Sequence, residues 1–144
     1  MHEAEAFGIT RQVAEKMGVF AEVERMQKLY PEMRKRGLRV LPGGDYGFPY
    51  NPVGRNARDL ELFVKLFGYS AVEALVAATK LGGELMGLQV GVVKPDWLAD
   101  LILVRGNPVE NVAILQEPQR LMMIMKDGRI VAADCLPARY RSRY

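Results

Sequence analysis

The chain has 144 residues, of which 49% are hydrophobic and 26% charged, and a formal net charge of +3 at pH 7. These values are typical of one globular domain with a buried core, and they exclude an intrinsically disordered composition. The only cysteine, Cys135, excludes an internal disulfide and a cysteine-rich zinc site, and the only histidine is His2. Because a catalytic zinc ion draws several ligands mainly from histidine, cysteine, aspartate and glutamate, we expect that this chain cannot build a typical zinc site alone.

No targeting or membrane-spanning segment is evident in the sequence. The apolar runs fall far short of the roughly 18 residues that a spanning helix needs. The start of the chain, MHEAEAFGIT, lacks the basic and apolar regions of a signal peptide. We therefore expect a cytoplasmic protein.

Two helices are predicted before residue 37. Thr10 is a suitable N-cap for a short helix that ends at Gly18. A second helix begins near Phe20, and spacings of three and four residues give it one apolar face, formed by Val23, Met26, Leu29 and Met33. Pro31 predicts a kink or a break in this helix because proline lacks the backbone N–H donor. Gly37 predicts its C-terminal end.

A strand and a turn are predicted next. Residues 38–41 are apolar or β-favouring and predict a buried strand, and a helix that leads into a strand indicates an α/β fold. Gly43 and Gly44 allow a sharp turn, which places Asp45 at the C-terminal end of the strand. Ligands and catalytic groups gather at that end in parallel α/β folds. Asp45 is therefore a candidate catalytic residue, although the stretch by itself favours the simpler role of a turn former.

The segment after Asp45 reads YGFPYNPVGRNARD and is rich in proline, glycine and aromatic residues. Long loops in compact domains are frequently functional. The candidates for lining a substrate pocket are Tyr46, Tyr50, Arg55 and Asn56. The alternative is that the aromatic residues pack this loop onto the domain and that Arg55 is solvated.

Helical patterns return after the loop. Residues 57–67 predict an amphipathic helix whose apolar face comprises Leu60, Phe63, Val64 and Phe67. Ser70 is expected to cap a helix at residues 71–81, and Glu73 completes a capping box. The small apolar residues inside this helix suit close packing on a sheet.

The pattern changes from helix to strand after Leu98. Residues 99–104, ADLILV, are mostly apolar and predict a strand, and residues 121–125 and 129–132 predict a hairpin whose turn contains Asp127 and Gly128. Four methionines are expected to fill the core rather than to bind copper or haem, namely Met86, Met122, Met123 and Met125.

A family resemblance is carried by five motifs in a fixed order: GGD, EALVAAT, LMG, ADLILVRGNPVENV and MKDGRIV. Together they resemble the C-terminal part of the amidohydrolase superfamily, and most of all its imidazolonepropionase-like and Xaa-Pro dipeptidase-like branch. The resemblance covers residues 38–131. It implies a (β/α)8 barrel with one or two divalent metal ions, usually zinc, and a small β-sandwich built from both chain ends. Residues 38–41 would be the eighth barrel strand.

The resemblance also implies a role for Asp45, which would bind a metal ion and take the proton of the attacking water during hydrolysis of a C–N bond. The other metal ligands of the family, histidines and a carboxylated lysine or acid, have no matching positions in this chain. Family members commonly have threonine or serine where this chain has Gly44, which removes a hydroxyl that could orient the aspartate. Because a complete barrel needs about 250 residues, we expect a C-terminal fragment or a separately encoded piece.

The predicted fold class is therefore α/β, as the C-terminal portion of a (β/α)8 metal-dependent hydrolase barrel with strands of a small composite β-sandwich. Residues 1–88 would supply the last helices and the final strand of the barrel. Residues 89–134 would supply strands of the sandwich, and residues 135–144 would form a basic tail.

Two functions of different kinds follow from this interpretation. The first is an amidohydrolase that acts on a small amide-type substrate when it is completed by the missing N-terminal barrel portion, with the chain alone inactive. The second is a non-catalytic interaction or oligomerisation module of the same fold, because an unpaired strand edge and uncovered apolar helix faces favour association with that portion or with a second copy. Nucleic-acid binding through the basic tail is a weaker third possibility, and membrane binding is not expected.

Overall fold

The computed structural model describes residue 5, residues 8–48 and residues 51–133. His2, Tyr50 and Cys135 lie outside these residues, as does the predicted basic tail. The described elements, in chain order, are the helices Arg11–Lys16 (α1), Val19–Lys35 (α2), Arg58–Phe67 (α3), Ala71–Ala78 (α4) and Lys80–Met86 (α5), the strand Leu101–Val104 (β1), the 3-10 helices Val112–Gln116 and Pro118–Arg120, and the strands Leu121–Lys126 (β2) and Arg129–Ala133 (β3). None of the helices in the described ranges is long and apolar enough to cross a membrane.

The first two helices begin and end largely as predicted. The Thr10 side chain accepts a hydrogen bond from the backbone N–H of Val13 at 3.3 Å and caps α1. Helix α2 ends at a left-handed Gly37, and the N–H of Leu38 donates to the carbonyl of Met33 at 3.0 Å. This pair of features is a Schellman motif, so the predicted role of Gly37 is confirmed.

Of the kink or break predicted at Pro31, the break does not occur, because α2 continues through this residue from Val19 to Lys35; the kink stays a prediction. A proline inside a helix removes one backbone hydrogen bond, but the remaining bonds of a long helix can hold it. Packing contributes as well: the ring of Tyr30 lies 4.2 Å from the ring of Phe67 on α3, measured between centroids. The helix is therefore continuous at the proline, beside a contact between α2 and α3.

The buried core lies between α3, α4 and the first 3-10 helix. Its most buried members are Leu60, Phe63, Tyr69, Ala74 and Val112. The predicted amphipathic helix is confirmed as α3, since Leu60 and Phe63 are buried and Val64 and Phe67 pack against the same cluster.

The capping box at the start of α4 is confirmed, with mutual hydrogen bonds between Ser70 and Glu73. The single helix predicted for residues 71–81 is instead two helices, α4 and α5, which meet at Thr79. The hydroxyl of Thr79 donates to the carbonyl of Leu75 at 2.7 Å. The backbone of Gly91 also approaches this point so closely that an added Cβ would lie 2.2 Å from the Thr79 carbonyl oxygen. The chain bends where a distant segment packs against it.

The expectation that this helix packs on a sheet is wrong for the described residues. Ala74 is fully buried, but the core cluster around it consists of Tyr69 and residues of α3 and of the first 3-10 helix. Val72 and Val76, on another side of α4, are 49% and 38% exposed. The small side chains thus allow close approach of helices, and part of the apolar surface stays uncovered.

The three strands form an antiparallel sheet in the order β1-β2-β3. The predicted hairpin between β2 and β3 is confirmed, and both Asp127 and Gly128 have the positive φ angles, 50° and 73°, that a tight hairpin turn requires. The carboxylate of Asp100 accepts a hydrogen bond from the N–H of Asp127 at 2.7 Å and pairs with Lys126. These contacts tie the start of β1 to the hairpin turn.

The core-filling role predicted for the four methionines is only partly found. Met86 is 60% exposed at the end of α5, so this prediction is wrong for that residue. The other three lie on β2, where they are half-buried, namely Met122, Met123 and Met125. A three-stranded sheet without a covering layer in the described residues cannot bury them fully.

The buried strand predicted at residues 38–41 is not formed. Leu38 is 52% exposed, and Val40 and Leu41 are half-buried. No backbone N–H or C=O of residues 39–44 forms a hydrogen bond with another described residue. A strand is defined by pairing with a neighbouring strand, and the described residues provide none at this position.

Arg34 joins the end of α2 to the start of α4. Its guanidinium donates to the carbonyl of Gly68 at 2.8 Å, pairs with the carboxylate of Glu73 and lies 4.0 Å from the centre of the Tyr69 ring. Hydrogen bonds from Ser70, together with the charge of Arg34, lower the pKa of Glu73. A single side chain therefore holds three parts of the helical region together.

We expect Arg34→Met to lower the free energy of unfolding by about 1 to 2 kcal/mol at neutral pH, because it removes a charged hydrogen bond and a cation–π contact. Arg25→Met is the matched control, since Arg25 is largely exposed and, among the described residues, its ion pair is with Glu22 of its own helix. It should change stability by less than about 0.5 kcal/mol.

The Arg34 effect should also depend on pH. A lowered folded-state pKa means that the stabilisation by ionised Glu73 is present above its unfolded pKa and is lost as the pH falls through the folded pKa. Urea unfolding at pH 7 and pH 3 should therefore show a smaller difference between Arg34→Met and the original chain in acid. Equal losses for Arg34→Met and Arg25→Met at pH 7 would contradict the contacts described.

Candidate functional site

Asp45 lies at the exposed end of the irregular residues 38–45, directly before a turn at residues 46–47. Its side chain is exposed and forms no hydrogen bond or ion pair with another described residue. Neither Gly43 nor Gly44, where the sequence predicts a sharp turn, has a positive φ angle, whereas Gly47 has φ of +120°. The assigned turn lies at residues 46–47, directly after Asp45, and the Asp45 side chain is exposed, as predicted.

Asn51 closes the loop that begins at Asp45. Its side-chain amide donates to the backbone carbonyl of Asp45 at 3.0 Å, and its side-chain oxygen accepts from the guanidinium of Arg58 at 3.3 Å. The backbone of Asn51 also exchanges hydrogen bonds with Phe48 and Gly47 at 2.9 Å each. The sequence analysis did not identify Asn51, although an asparagine followed by proline is a known turn signal.

The predicted substrate residue Tyr46 turns inward. Its hydroxyl is buried and has no hydrogen-bond partner in the described part of the chain. Burial, and then the nearby carboxylate of Asp59, raise the pKa of Tyr46 to about 12, against a smaller opposite effect of Arg58. The phenol therefore stays protonated at neutral pH and offers a hydrogen-bond donor. The sequence analysis also missed Asp59, whose carboxylate lies near this phenol and contributes to its raised pKa.

The structure brings together two of the four predicted substrate residues. Tyr46 and Asn56 line one groove of about 410 Å³ together with Asp59 and apolar residues of α5. Arg55 lines a separate small pocket of about 110 Å³ beside Gln116. Tyr50 lies outside the described residues. The groove does not include Asp45, so the candidate base and the candidate substrate residues are neighbours in the chain but do not share one cavity.

The zinc ion implied by the resemblance is not matched by the donors present. No group of three or more histidine, cysteine, aspartate or glutamate residues in the described ranges is placed to hold a metal ion. Asp45 by itself offers one carboxylate. These residues do not fit a complete metal site.

A second, larger groove lies open between α2 and α4, with a volume of about 630 Å³. Val40, Val72 and Val76 contribute apolar surface to it, and Arg34 and Arg39 lie among its lining residues. The backbone of residues 39–44, which lacks hydrogen-bond partners, runs along this groove and the smaller one on the other side. Unpaired backbone groups next to exposed apolar side chains are typical of a surface that another polypeptide covers.

Comparison with known proteins was made for the sequence and for the fold. No protein-family model matches the chain. Ochratoxinase from Aspergillus niger is 29% identical over 106 residues, which are 72% of this chain and 21% of that protein. The crystal structure of A. niger ochratoxinase matches with a TM-score of 0.72 at 24% identity and covers 90% of this chain and 29% of that chain.

Two other solved structures have a similar fold. An amidohydrolase matches with a TM-score of 0.67 at 23% identity, covering 76% of this chain and 26% of that chain. A Xaa-Pro dipeptidase with bound methionine in its active site matches with a TM-score of 0.62 at 25% identity, covering 72% and 25%. The chain is similar to amidohydrolases. The predicted resemblance to the C-terminal part of that superfamily is thus supported, while the specific branch stays a prediction.

These matches cover only part of each relative. The chain spans about a fifth of the length of the curated relatives it matches. The relatives are hydrolases by name, and the mixed helix and strand content agrees with their fold. The barrel, the sandwich and the division at residues 88 and 134 remain predictions.

Proposed function

We propose that this chain is the C-terminal part of a hydrolase that cleaves a C–N bond of the amide type. The observation that carries the proposal is the similarity to ochratoxinase and to prolidase-like enzymes, which extends over most of this chain but only a fifth to a third of theirs. The chain would supply part of a catalytic barrel, and the remaining barrel residues would supply the rest of the active site.

Asp45 has the central role in this proposal. Its carboxylate would accept a proton from the attacking water and return it to the leaving nitrogen, as a general base and then a general acid. The exposed position of this side chain, without a competing partner in the described residues, supports such a role. Tyr46, Tyr50, Arg55 and Asn56 would contact the substrate, with Tyr46 as a hydrogen-bond donor.

The proposal includes a divalent metal ion, zinc before others, most of whose ligands would lie outside this chain. Asp45 would give one ligand, and the others would come from residues that this chain does not contain. Because the donors described here do not form a site by themselves, isolated chain should not bind zinc tightly. Stoichiometric tight binding to the 144-residue chain would contradict this part of the proposal.

The experiment that tests the proposal is reconstitution. The chain is expressed with the polypeptide encoded immediately upstream of it, and the product, called here the reconstituted protein, is assayed with N-acyl amino acids and Xaa-Pro dipeptides. We expect the two parts to purify together and to hydrolyse at least one of these substrates, whereas each part alone is inactive. Hydrolysis at the same rate by the chain alone would contradict its incomplete state, and inactivity of a well-formed complex on all amide probes would contradict the proposed reaction.

A second candidate function is an interaction module without catalysis. It is favoured by the unpaired backbone of residues 39–44 and by the open groove that contains Val72 and Val76. Such a surface suits an added strand from the missing barrel portion or from a second copy. Light scattering would separate the cases: a stable monomer over a wide concentration range contradicts self-association, and a complex that forms but lacks hydrolysis favours the module.

A further inference from the structure

The side chain of Asn51, six residues further along the chain, holds the loop that contains Asp45. Asn51 donates through its amide nitrogen to the Asp45 carbonyl at 3.0 Å, and this is the only hydrogen bond from another described residue to Asp45. Backbone hydrogen bonds of Asn51 with Gly47 and Phe48 hold the loop at a second point. The main chain of Asp45 is therefore fixed although its carboxylate is not.

The amide of Asn51 is itself oriented by helix α3. Arg58, the first residue of α3, donates to the Asn51 side-chain oxygen at 3.3 Å, which sets the amide so that its nitrogen faces Asp45. Two residues further along α3, Leu60 belongs to the buried core. A line of contacts thus connects the core to the Asp45 main chain through Arg58 and Asn51.

The space beside this amide is tight at position 44. A Cβ added to Gly44 would lie 3.3 Å from the Asn51 amide nitrogen and 3.0 Å from the ring of Tyr46. Gly44 has an ordinary φ angle, so close packing rather than backbone conformation explains the glycine. Tyr46 and Asn51 fill the volume that a side chain at position 44 would otherwise occupy.

We infer that Asn51 is the positioning residue for Asp45: its side-chain amide, oriented by Arg58, fixes the Asp45 main chain and so the direction in which the carboxylate leaves the loop. The catalytic consequence rests on the proposed function, because it matters only where Asp45 transfers a proton. The physical contact can be tested without any activity.

The first test is nuclear magnetic resonance on the 144-residue chain. The carbonyl carbon of Asp45 reports its hydrogen bond, so Asn51→Ala and Asn51→Asp should both move this resonance, the second because a carboxylate cannot donate. Gln89→Ala is the matched control, since it removes an exposed side-chain amide elsewhere in the chain. An Asp45 carbonyl signal that is the same in Asn51→Asp and in the unchanged chain would overturn the inference.

The second test is kinetics of the reconstituted protein. Misplacement of a catalytic group lowers the rate of the chemical step more than the binding of substrate. We expect Asn51→Ala and Asn51→Asp to lower kcat by about 10- to 100-fold with KM nearly unchanged, and Gln89→Ala to leave both constants as they are. Asn51→Asp conserves the side-chain volume, so circular dichroism melting confirms that a lost rate is not a lost fold.

The two tests distinguish failure of the proposed function from failure of the positioning role. If the reconstituted protein without substitutions hydrolyses no amide, the proposed function fails, and the resonance of Asp45 still decides whether Asn51 holds it. If that protein is active and Asn51→Asp keeps full kcat, the positioning role is overturned while the proposed function stands. A rise in KM with constant kcat would also overturn it, because it would assign Asn51 to substrate binding.

Discussion

In the reconstituted protein, we expect Asp45→Asn to lower kcat by about 10²- to 10⁴-fold, the range that general acid–base catalysis contributes. The amide has nearly the same shape as the carboxylate but cannot accept the proton of water. Since the side chain of Asp45 is exposed and has no partner in the described residues, the substitution should leave the fold unchanged. The loss should therefore lie in kcat rather than in the amount of folded protein.

The control for this prediction is Asp127→Asn. Asp127 lies in the hairpin turn between β2 and β3 with φ of 50°, a conformation that asparagine adopts readily. The same chemical change there should leave kcat and KM unchanged and alter the free energy of unfolding by less than about 0.5 kcal/mol. If Asp45→Asn keeps more than half of the original kcat, the carboxylate does not transfer the proton and the turn-forming role is the better explanation.

Local signals in the sequence predicted the ends of the elements correctly. Thr10, the Ser70–Glu73 pair and Gly37 each act through hydrogen bonds to residues a few positions away, so the sequence contains both partners side by side. The hairpin turn at Asp127 is a similar case, since its backbone angles depend on the residues of the turn itself. In these cases the cause was local and the prediction held.

Predictions failed where the cause lies far along the chain. Helix α2 continues through Pro31 where Tyr30 contacts Phe67, and the bend at Thr79 coincides with the close approach of Gly91. Residues 38–41 have the composition of a buried strand, but pairing needs a neighbour that the described residues do not provide. Composition specifies a preference, whereas the pairing partner decides the structure.

The same contrast between neighbouring and distant partners applies to the candidate site. Asp45 was identifiable because glycines precede it, and Tyr46 and Asn56 do share a groove. Asn51 was missed because its partners, Asp45 and Arg58, lie six and seven residues away across an irregular loop. No periodicity relates positions in such a loop, so only coordinates can pair them.

The second large effect is expected from alanine substitutions at two adjacent glycines of α5, Gly82 and Gly83, which should change the free energy of unfolding in opposite directions. A Cβ added to Gly83 would lie 2.4 Å from the carbonyl oxygen of Val90, a backbone atom that cannot move aside cheaply. We expect Gly83→Ala to lower the free energy of unfolding by about 2 to 3 kcal/mol, as for other overpacked positions. At Gly82 an added Cβ meets no atom within 4 Å, so alanine should stabilise the helix by up to about 1 kcal/mol.

Thermal unfolding of the two variants should therefore separate them by roughly 10 °C, given the usual change of Tm per kcal/mol for a chain of this size. The comparison isolates packing, because the two substitutions are chemically identical and lie one residue apart in the same helix. It also tests how the helical region meets the sheet, since Val90 begins the segment that leads to β1, and the N–H of Leu98 in that segment donates to the carbonyl of Gln89 at 2.9 Å. Equal melting temperatures would mean that residues 88–91 do not pack on α5, and the helices and the sheet would then have to be treated as separately anchored parts of this chain.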